Sequence, residues 1–275
     1  MEAKFIYPRW GSADVELSIF LNRVKNHGYQ GVEMDLPLNR GKNEILAILG
    51  DFELDFVGQH WETKEGDFKK HKEKYKRHLY NLAEAGPLLI NSHTGMDFFS
   101  FSQNAELLEL AFLIEEETGV VITHETHRSR FSYAVHICYR FLKEFPLLKL
   151  TSDFAHWCCV AETLLENQEE AVAMAVKHTY HIHARVGSSQ SPQVIDPRND
   201  TYLPELNQFK IWWLAMLKNA RNENRSYITI APEHGPVPYA MLHPETNELL
   251  TNQWDTNQFI KTELAKIMAL LSEND

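Results

Sequence analysis

The sequence predicts an α/β fold, a single-domain (β/α)8 TIM barrel over residues 1–275. Short apolar runs alternate with longer amphipathic runs eight times, and 275 residues is an ordinary length for eight such units. The first apolar run leads into YPRWGS, not into the G-x-G-x-x-G turn that opens a doubly wound nucleotide-binding sheet. No break in composition marks a second domain.

Taken in order, KFIYP (4–8) is the first strand, and a helix follows over 13–27. Ser12 and Asp14 are its candidate caps, and Gly28 follows its end. GVEMD (31–35) pairs with a helix over 42–50, and DFVGQHW (55–61) with one over 67–85 that Gly86-Pro87 closes. LLINSH (88–93) precedes a helix over 103–118, in which Leu107, Leu110, Ala111 and Ile114 recur at helical spacing before Gly119. VVITHE (120–125) precedes a helix over 132–144 that Pro146 stops. LKLTSD (148–153), TYHIHAR (179–185) and YITIAPE (227–233) complete the strands, with helices over 161–177, 204–223 and 254–272. One connection is long, GSSQSPQVIDPRNDTYL (187–203), and loops of that length are more often functional than idle.

A chain that is 44% hydrophobic can bury a large core. Its net charge of −11 repels phosphate backbones and makes nucleic acid a poor partner. The most basic stretch, KKHKEKYKR (69–77), has helical spacing and reads as a solvated helix face. Cys138, Cys158 and Cys159 form no disulfide framework, which suits reduced thiols. The N-terminus has no signal-like apolar segment, and no apolar run is long enough to span a membrane. Together these lead us to expect a soluble cytoplasmic protein with no membrane partner.

Nearly every predicted strand ends in a titratable group. The second ends at Glu33 and Asp35, the third at His60 and Glu62, the fourth at His93, and the fifth at Glu125 and His127. The sixth ends at Asp153 with His156 beyond, the seventh carries His181, His183 and Arg185, and the eighth ends at Glu233 and His234. A parallel barrel gathers these ends on its C-terminal face, where barrel enzymes carry their active sites. Any one of these histidines alone would more simply be a loop or core residue; it is their recurrence that points to a site.

Carboxylate oxygens with an imidazole suit one divalent ion. Glu125, Asp153, His183 and Glu233 come from four consecutive strands and form a hard, anionic set that favours Mn²⁺, Mg²⁺ or Co²⁺, with Zn²⁺ also compatible. His181 and His183 face the same way, and His183 is nearer the rim, so His181 is expected deeper in the barrel. HETH (124–127) is not the H-E-x-x-H of zinc proteases. Trp10, Trp61 and Trp157 each follow a strand, where a sugar ring could stack; ordinary packing is the simpler reading. Trp212 and Trp213 lie in a helix and read as core.

HET (124–126), SDFAH (152–156), HIHARVG (181–187) and PEHGP (232–236) come in this order at strand-like intervals. With GYQGVEMD (28–35), they make nearly the whole chain resemble the sugar phosphate isomerase/epimerase superfamily. These are xylose isomerase-like TIM barrels that include ketose 3-epimerases and are related in fold to endonuclease IV. The resemblance implies that Glu125 and Glu233 are both metal ligands and the acid/base pair, that Asp153 and His183 complete the coordination, and that His156 contacts substrate oxygens. It also places Glu33, His60 and His93 around the sugar, and dimers or tetramers are common in the family. The chain departs from the ketose epimerases after His183: Val186 stands where they carry a Glu, and the arginine comes early, at Arg185. Arg185 and Arg198 either bind an acidic or phosphorylated substrate or are structural, with Arg198 in a salt bridge.

The function expected on this resemblance is a divalent-metal-dependent isomerase or epimerase of a keto sugar or sugar phosphate. Protons would move between Glu125 and Glu233 through a metal-stabilised enediolate. Three alternatives stand beside it: a metal-dependent lyase or dehydratase of a hydroxy acid, an endonuclease IV-like phosphodiesterase, and a barrel that binds without catalysis.

Overall fold

The computed structural model describes residues 1–38 and 41–273. Eight parallel strands close in sequence order into a barrel, β1-β2-β3-β4-β5-β6-β7-β8. They are β1 (Glu2–Pro8), β2 (Gly31–Met34), β3 (Asp55–His60), β4 (Leu89–Ser92), β5 (Ile122–Glu125), β6 (Leu150–Ser152), β7 (Thr179–Ala184) and β8 (Tyr227–Pro232). Closure is made by β1 against β8, where Glu2 to Phe5 pair with Tyr227 to Ile230. Around the strands lie α1 (Leu17–Asn26), α2 (Gly41–Asp51), α3 (Phe68–Ala83), α4 (Phe101–Thr118), α5 (Val135–Glu144), α6 (Phe154–Ala161), α7 (Glu169–Lys177), α8 (Leu203–Asn222) and α9 (Gln253–Glu273). No described helix is long and apolar enough to cross a membrane.

All eight expected strands are present. The helices differ from expectation in two places. Ser12 and Asp14 do not cap α1; Glu16 does, accepting the backbone N–H groups of Ser18 and Ile19. The helix expected over 161–177 is confined to α7, and an unexpected helix, α6, precedes it. α6 starts directly at Asp153, whose side chain accepts the Ala155 N–H, and ends where Glu162 turns left-handed at φ 53°. α4 behaves as its sequence indicates, with a Ser100/Gln103 capping box and Gly119 left-handed at φ 71°.

Alternation along the strands divides the core. Tyr7 points outward onto Phe20 and Trp254, its rings 5.9 and 4.5 Å away. Its neighbour Ile6 points inward and makes a small apolar cluster with Val57 and Leu89. Hydroxyls and imidazoles lie higher inside the barrel: Thr123 Oγ1 meets Thr151 Oγ1 at 2.6 Å, and His181 Nδ1 meets Thr229 Oγ1 at 2.7 Å. The interior therefore grades from apolar to polar toward the C-terminal rim.

The basic segment 69–77 lies in α3, where Lys70, Lys76 and Arg77 face solvent and Lys72 pairs with Glu106 at 2.5 Å. Trp157, Trp212 and Trp213 are buried core residues, and Trp157 donates its Nε1–H to Ser132 O. The long connection is tied to the end of β8. Gln193 accepts the Gly235 N–H at 2.6 Å, and Ile195 O accepts the Thr251 hydroxyl at 2.6 Å.

Candidate metal centre

Inward-facing positions at the rim bring Glu33 (β2), Asn91 (β4), Glu125 (β5), His183 (β7), and Asp153, Arg185 and Glu233 just beyond β6, β7 and β8 into one buried group. His183 is the hub. Its Nε2 lies 3.1 and 2.9 Å from the two oxygens of Glu33. A carboxylate only accepts, so Nε2 carries the hydrogen. Nδ1 then faces Glu233 Oε2 at 2.9 Å and Glu125 Oε2 at 3.5 Å, with no aligned hydrogen bond among the described residues.

Other donors reach the same carboxylate oxygens that face His183. Asn91 Nδ2 bridges Glu33 and Glu125 at 2.9 and 2.8 Å, and His93 Nε2 donates to Glu125 at 2.8 Å. Arg185 spans Asp153 and Glu233, with Nε at 2.9 Å and Nη2 at 2.6 Å. His181 sits deeper, as expected, between Glu33 and Thr229.

This much charge in a dry site shifts the pKa values. Burial disfavours the charged form of His183, but Glu233, Glu33 and Glu125 outweigh it and hold its pKa well above the usual value. Burial likewise opposes ionisation of Glu125, yet His93 and His183 hold its pKa well below the carboxylate range. Asp153 is pushed up to about 7, by burial against the pull of Arg185, with Glu233 and Glu125 adding repulsion. Burial drives His156 well below its usual pKa, with His127 and Arg185 adding to the effect.

A divalent cation fits these residues. Glu125, Asp153 and His183 each present a ligand atom within 4.8 Å of one another, and Glu233 closes on the same imidazole nitrogen. The His183 ring is already fixed through its other nitrogen by a carboxylate, as metal-ligating histidines usually are. Beside the group, His156 is fully buried, has no hydrogen-bond partner on either ring nitrogen among the described residues, and lies 3.6 Å from Asp153. Above it opens a cavity of about 570 Å³ lined by His93, Glu125, Arg185, Glu233 and the indoles of Trp10 and Trp61.

Two residues expected at the site are elsewhere. His60 points out of the barrel toward α3, because it shares the strand face of Gly58, which packs on Leu82. It is locked between Ser92 Oγ at 3.0 Å and Thr63 Oγ1 at 2.7 Å, and Gln59 takes the cavity position instead. Arg198 is exposed and forms a two-point pair with Asp196 at 2.8 and 2.7 Å, so it is the salt-bridged residue of the two readings. Asn91 was not anticipated. The available signal was its place two residues before His93, on the same strand face.

No family model matches the chain, and no curated protein matches it. Among solved structures, a xylose isomerase domain-containing protein from Salmonella typhimurium superimposes with a TM-score of 0.62 over 96% of this chain and 97% of its own, at 12% identity. The chain has the fold of the xylose isomerase-like barrels. The probable 3-DHS dehydratase AsbF of Bacillus anthracis matches at TM-score 0.59 and 16% identity, over 96% of this chain and 98% of that one. Endonuclease IV of Thermus thermophilus matches at TM-score 0.59 and 12% identity, over 98% and 99%. At these identities the likeness is one of fold.

Proposed function

We propose that the protein is a divalent-metal-dependent isomerase or epimerase acting on a keto sugar or sugar phosphate. The observation that carries this is His183 Nδ1, a buried nitrogen without an aligned partner that faces Glu125 and Glu233. Glu125, Asp153, His183 and Glu233 would hold the ion, in keeping with the expectation from sequence. A divalent ion there supplies Lewis acidity, polarising a substrate carbonyl and acidifying the neighbouring C–H.

The protein's own groups do the rest. Glu125, kept ionised by His93 and His183, takes the proton, and Glu233, oriented by Arg185, returns one to the opposite face or to the adjacent carbon. Positioned acid–base groups of this sort typically contribute about 10²–10⁴-fold. His93 contacts substrate oxygens from the cavity wall, Trp10 and Trp61 wall the cavity against water, and His156, expected from sequence to contact substrate, is fully buried behind that wall. The partner is a small molecule, and the unpaired cysteines support a cytoplasmic location.

The test is elemental analysis of protein purified without chelator, wild type beside Glu125→Gln and His183→Ala, followed by solvent deuterium exchange into keto sugars and their phosphates. About one Mn, Co, Mg or Zn per chain, lost in both variants, and exchange only in the wild type are expected. A wild type that binds no metal after Mn²⁺ addition sinks the proposal. The same proton abstraction would begin dehydration of a hydroxy acid, and the Bacillus anthracis neighbour is named a probable dehydratase. Elimination product in place of exchanged substrate would select that reading.

A further inference from the structure

Partnerless arginine nitrogens cluster around one space. Among the described residues, the buried arginine nitrogens without a hydrogen-bond partner are Arg9 Nη1, Arg130 Nε and Arg185 Nη1. All three residues line the cavity above the candidate metal centre. Arg185 has its charge met by Asp153 and Glu233. Arg130 does not. It is 3% exposed, and its Nη groups donate to the backbone carbonyls of Thr63 at 2.8 Å and Trp61 at 3.1 Å and, at 3.3 Å, of Gly95.

Carbonyl bonds would suffice for a neutral staple between loops, but they leave a permanent cation buried without a counter-charge, an arrangement proteins rarely keep. Burial pushes the Arg130 pKa down to about 10, which the more distant Glu125 and Asp97 only partly offset. Lys64, next along from the Thr63 carbonyl, is exposed at the same mouth, with its ammonium 4.6 Å from the Trp61 ring centroid. Among the described residues, Asp35 is the only carboxylate lining this cavity besides Glu125 and Glu233, and its charge acts on Arg9. In a chain of net charge −11, a lining with four cations, Arg9, Lys64, Arg130 and Arg185, against three carboxylates runs against the whole.

We propose that the wall of the cavity formed by Arg130 and Lys64, with Arg9 lining the same space, is an anion subsite that receives a phosphate or carboxylate group of the substrate. This rests on the function proposed above and names its substrate class: the reacting hydroxy-ketone or hydroxy acid carries a second, negatively charged end. Arg130 supplies a fixed guanidinium donor, and Lys64 a mobile ammonium that follows the anion.

The test is direct binding, by calorimetry, of inorganic phosphate and of malonate to the protein as purified, against chloride at equal ionic strength. Saturable binding of phosphate or malonate is expected, weakened about fivefold to tenfold in Lys64→Ala and in Arg9→Gln, as loss of one charge-assisted contact implies. Arg130→Lys is the conservative variant at the buried position, because a larger change there removes the loop-tying bonds. Stronger binding of phosphate assigns a phosphorylated substrate, and stronger binding of malonate a carboxylic acid. Glu125→Gln separates the two proposals: phosphate binding that survives there places the anion on the arginine wall. Loss in Glu125→Gln with no change in Lys64→Ala or Arg9→Gln places it on the ion and overturns the subsite. Binding no tighter than that of chloride also overturns it.

Discussion

Glu33 and His183, 150 residues apart, meet at 2.9 Å inside the barrel. The carboxylate takes the Nε2–H and thereby decides what the other nitrogen can do. Replacing Glu33 with Gln substitutes an amide that can accept through one atom only and rotates freely between donor and acceptor. The imidazole loses one of the carboxylates that fix its orientation. We expect Glu33→Gln to weaken Mn²⁺ binding about 10–100-fold in a calorimetric titration while the fold, followed by circular dichroism, is retained. Unchanged affinity would reduce Glu33 to a packing residue.

Asn91 donates to Glu33 and to Glu125 and so stands between two buried carboxylates. Asn91→Ala leaves both without that donor, at a cost of about 1–3 kcal/mol. Because a bound cation would relieve the same repulsion, saturating Mn²⁺ should recover part of the lost melting temperature by mass action. A variant equally destabilised with and without Mn²⁺ would contradict this.

His60 gives the pH dependence. Burial, with His78 and Arg130 adding, holds its folded pKa well below the usual value, so it is neutral when folded. The unfolded imidazole takes up a proton below about pH 6.5. The unfolded state then binds more protons, and stability falls as pH falls from about 6.5 toward the folded pKa, by up to ~1.4 kcal/mol per pH unit for this one group. Denaturant unfolding from pH 7.5 to 5 should show that fall, with a shallower slope in His60→Gln. Parallel slopes would remove His60 from the acid response.

Gly235 is needed for close approach. A Cβ there would lie 2.3 Å from the Trp10 ring, which forms part of the cavity wall beside Arg185. Gly235→Ala should therefore displace Trp10, seen as a changed tryptophan emission, and raise KM more than it lowers kcat. An unaltered emission spectrum would show that the indole has room to yield in place.

Much of this architecture is legible in the sequence because both its periods are strong. Each strand is a short β-rich run bounded by a cap, a glycine or a proline, and the titratable residues follow at the ends where the polar face begins. What eluded the sequence had identifiable causes. α6 (FAHWCCVA) is apolar on nearly every side, so it shows no amphipathic contrast. His60 sits one residue out of phase, since the face a strand residue takes depends on where the pleat starts, and QHW offers no local mark of it. Asn91 is uncharged, and a search for titratable groups passes over an amide that touches two of them. Arg198 and Asp196 lie two residues apart, a spacing that fits a local pair as well as a ligand clamp.

The His183 imidazole is clasped from both ends of the chain, by Glu33 near the start and Glu233 near the finish. Glu33 and Glu233 lie too far apart in sequence for any contiguous half of the polypeptide to hold both. During synthesis the ribosome must release β8 before Glu233 arrives, so a nascent chain that ends before β8 has no complete cation cage. Ion capture would report that the barrel has closed, and premature loading with a competing metal would be limited by the order in which the strands emerge.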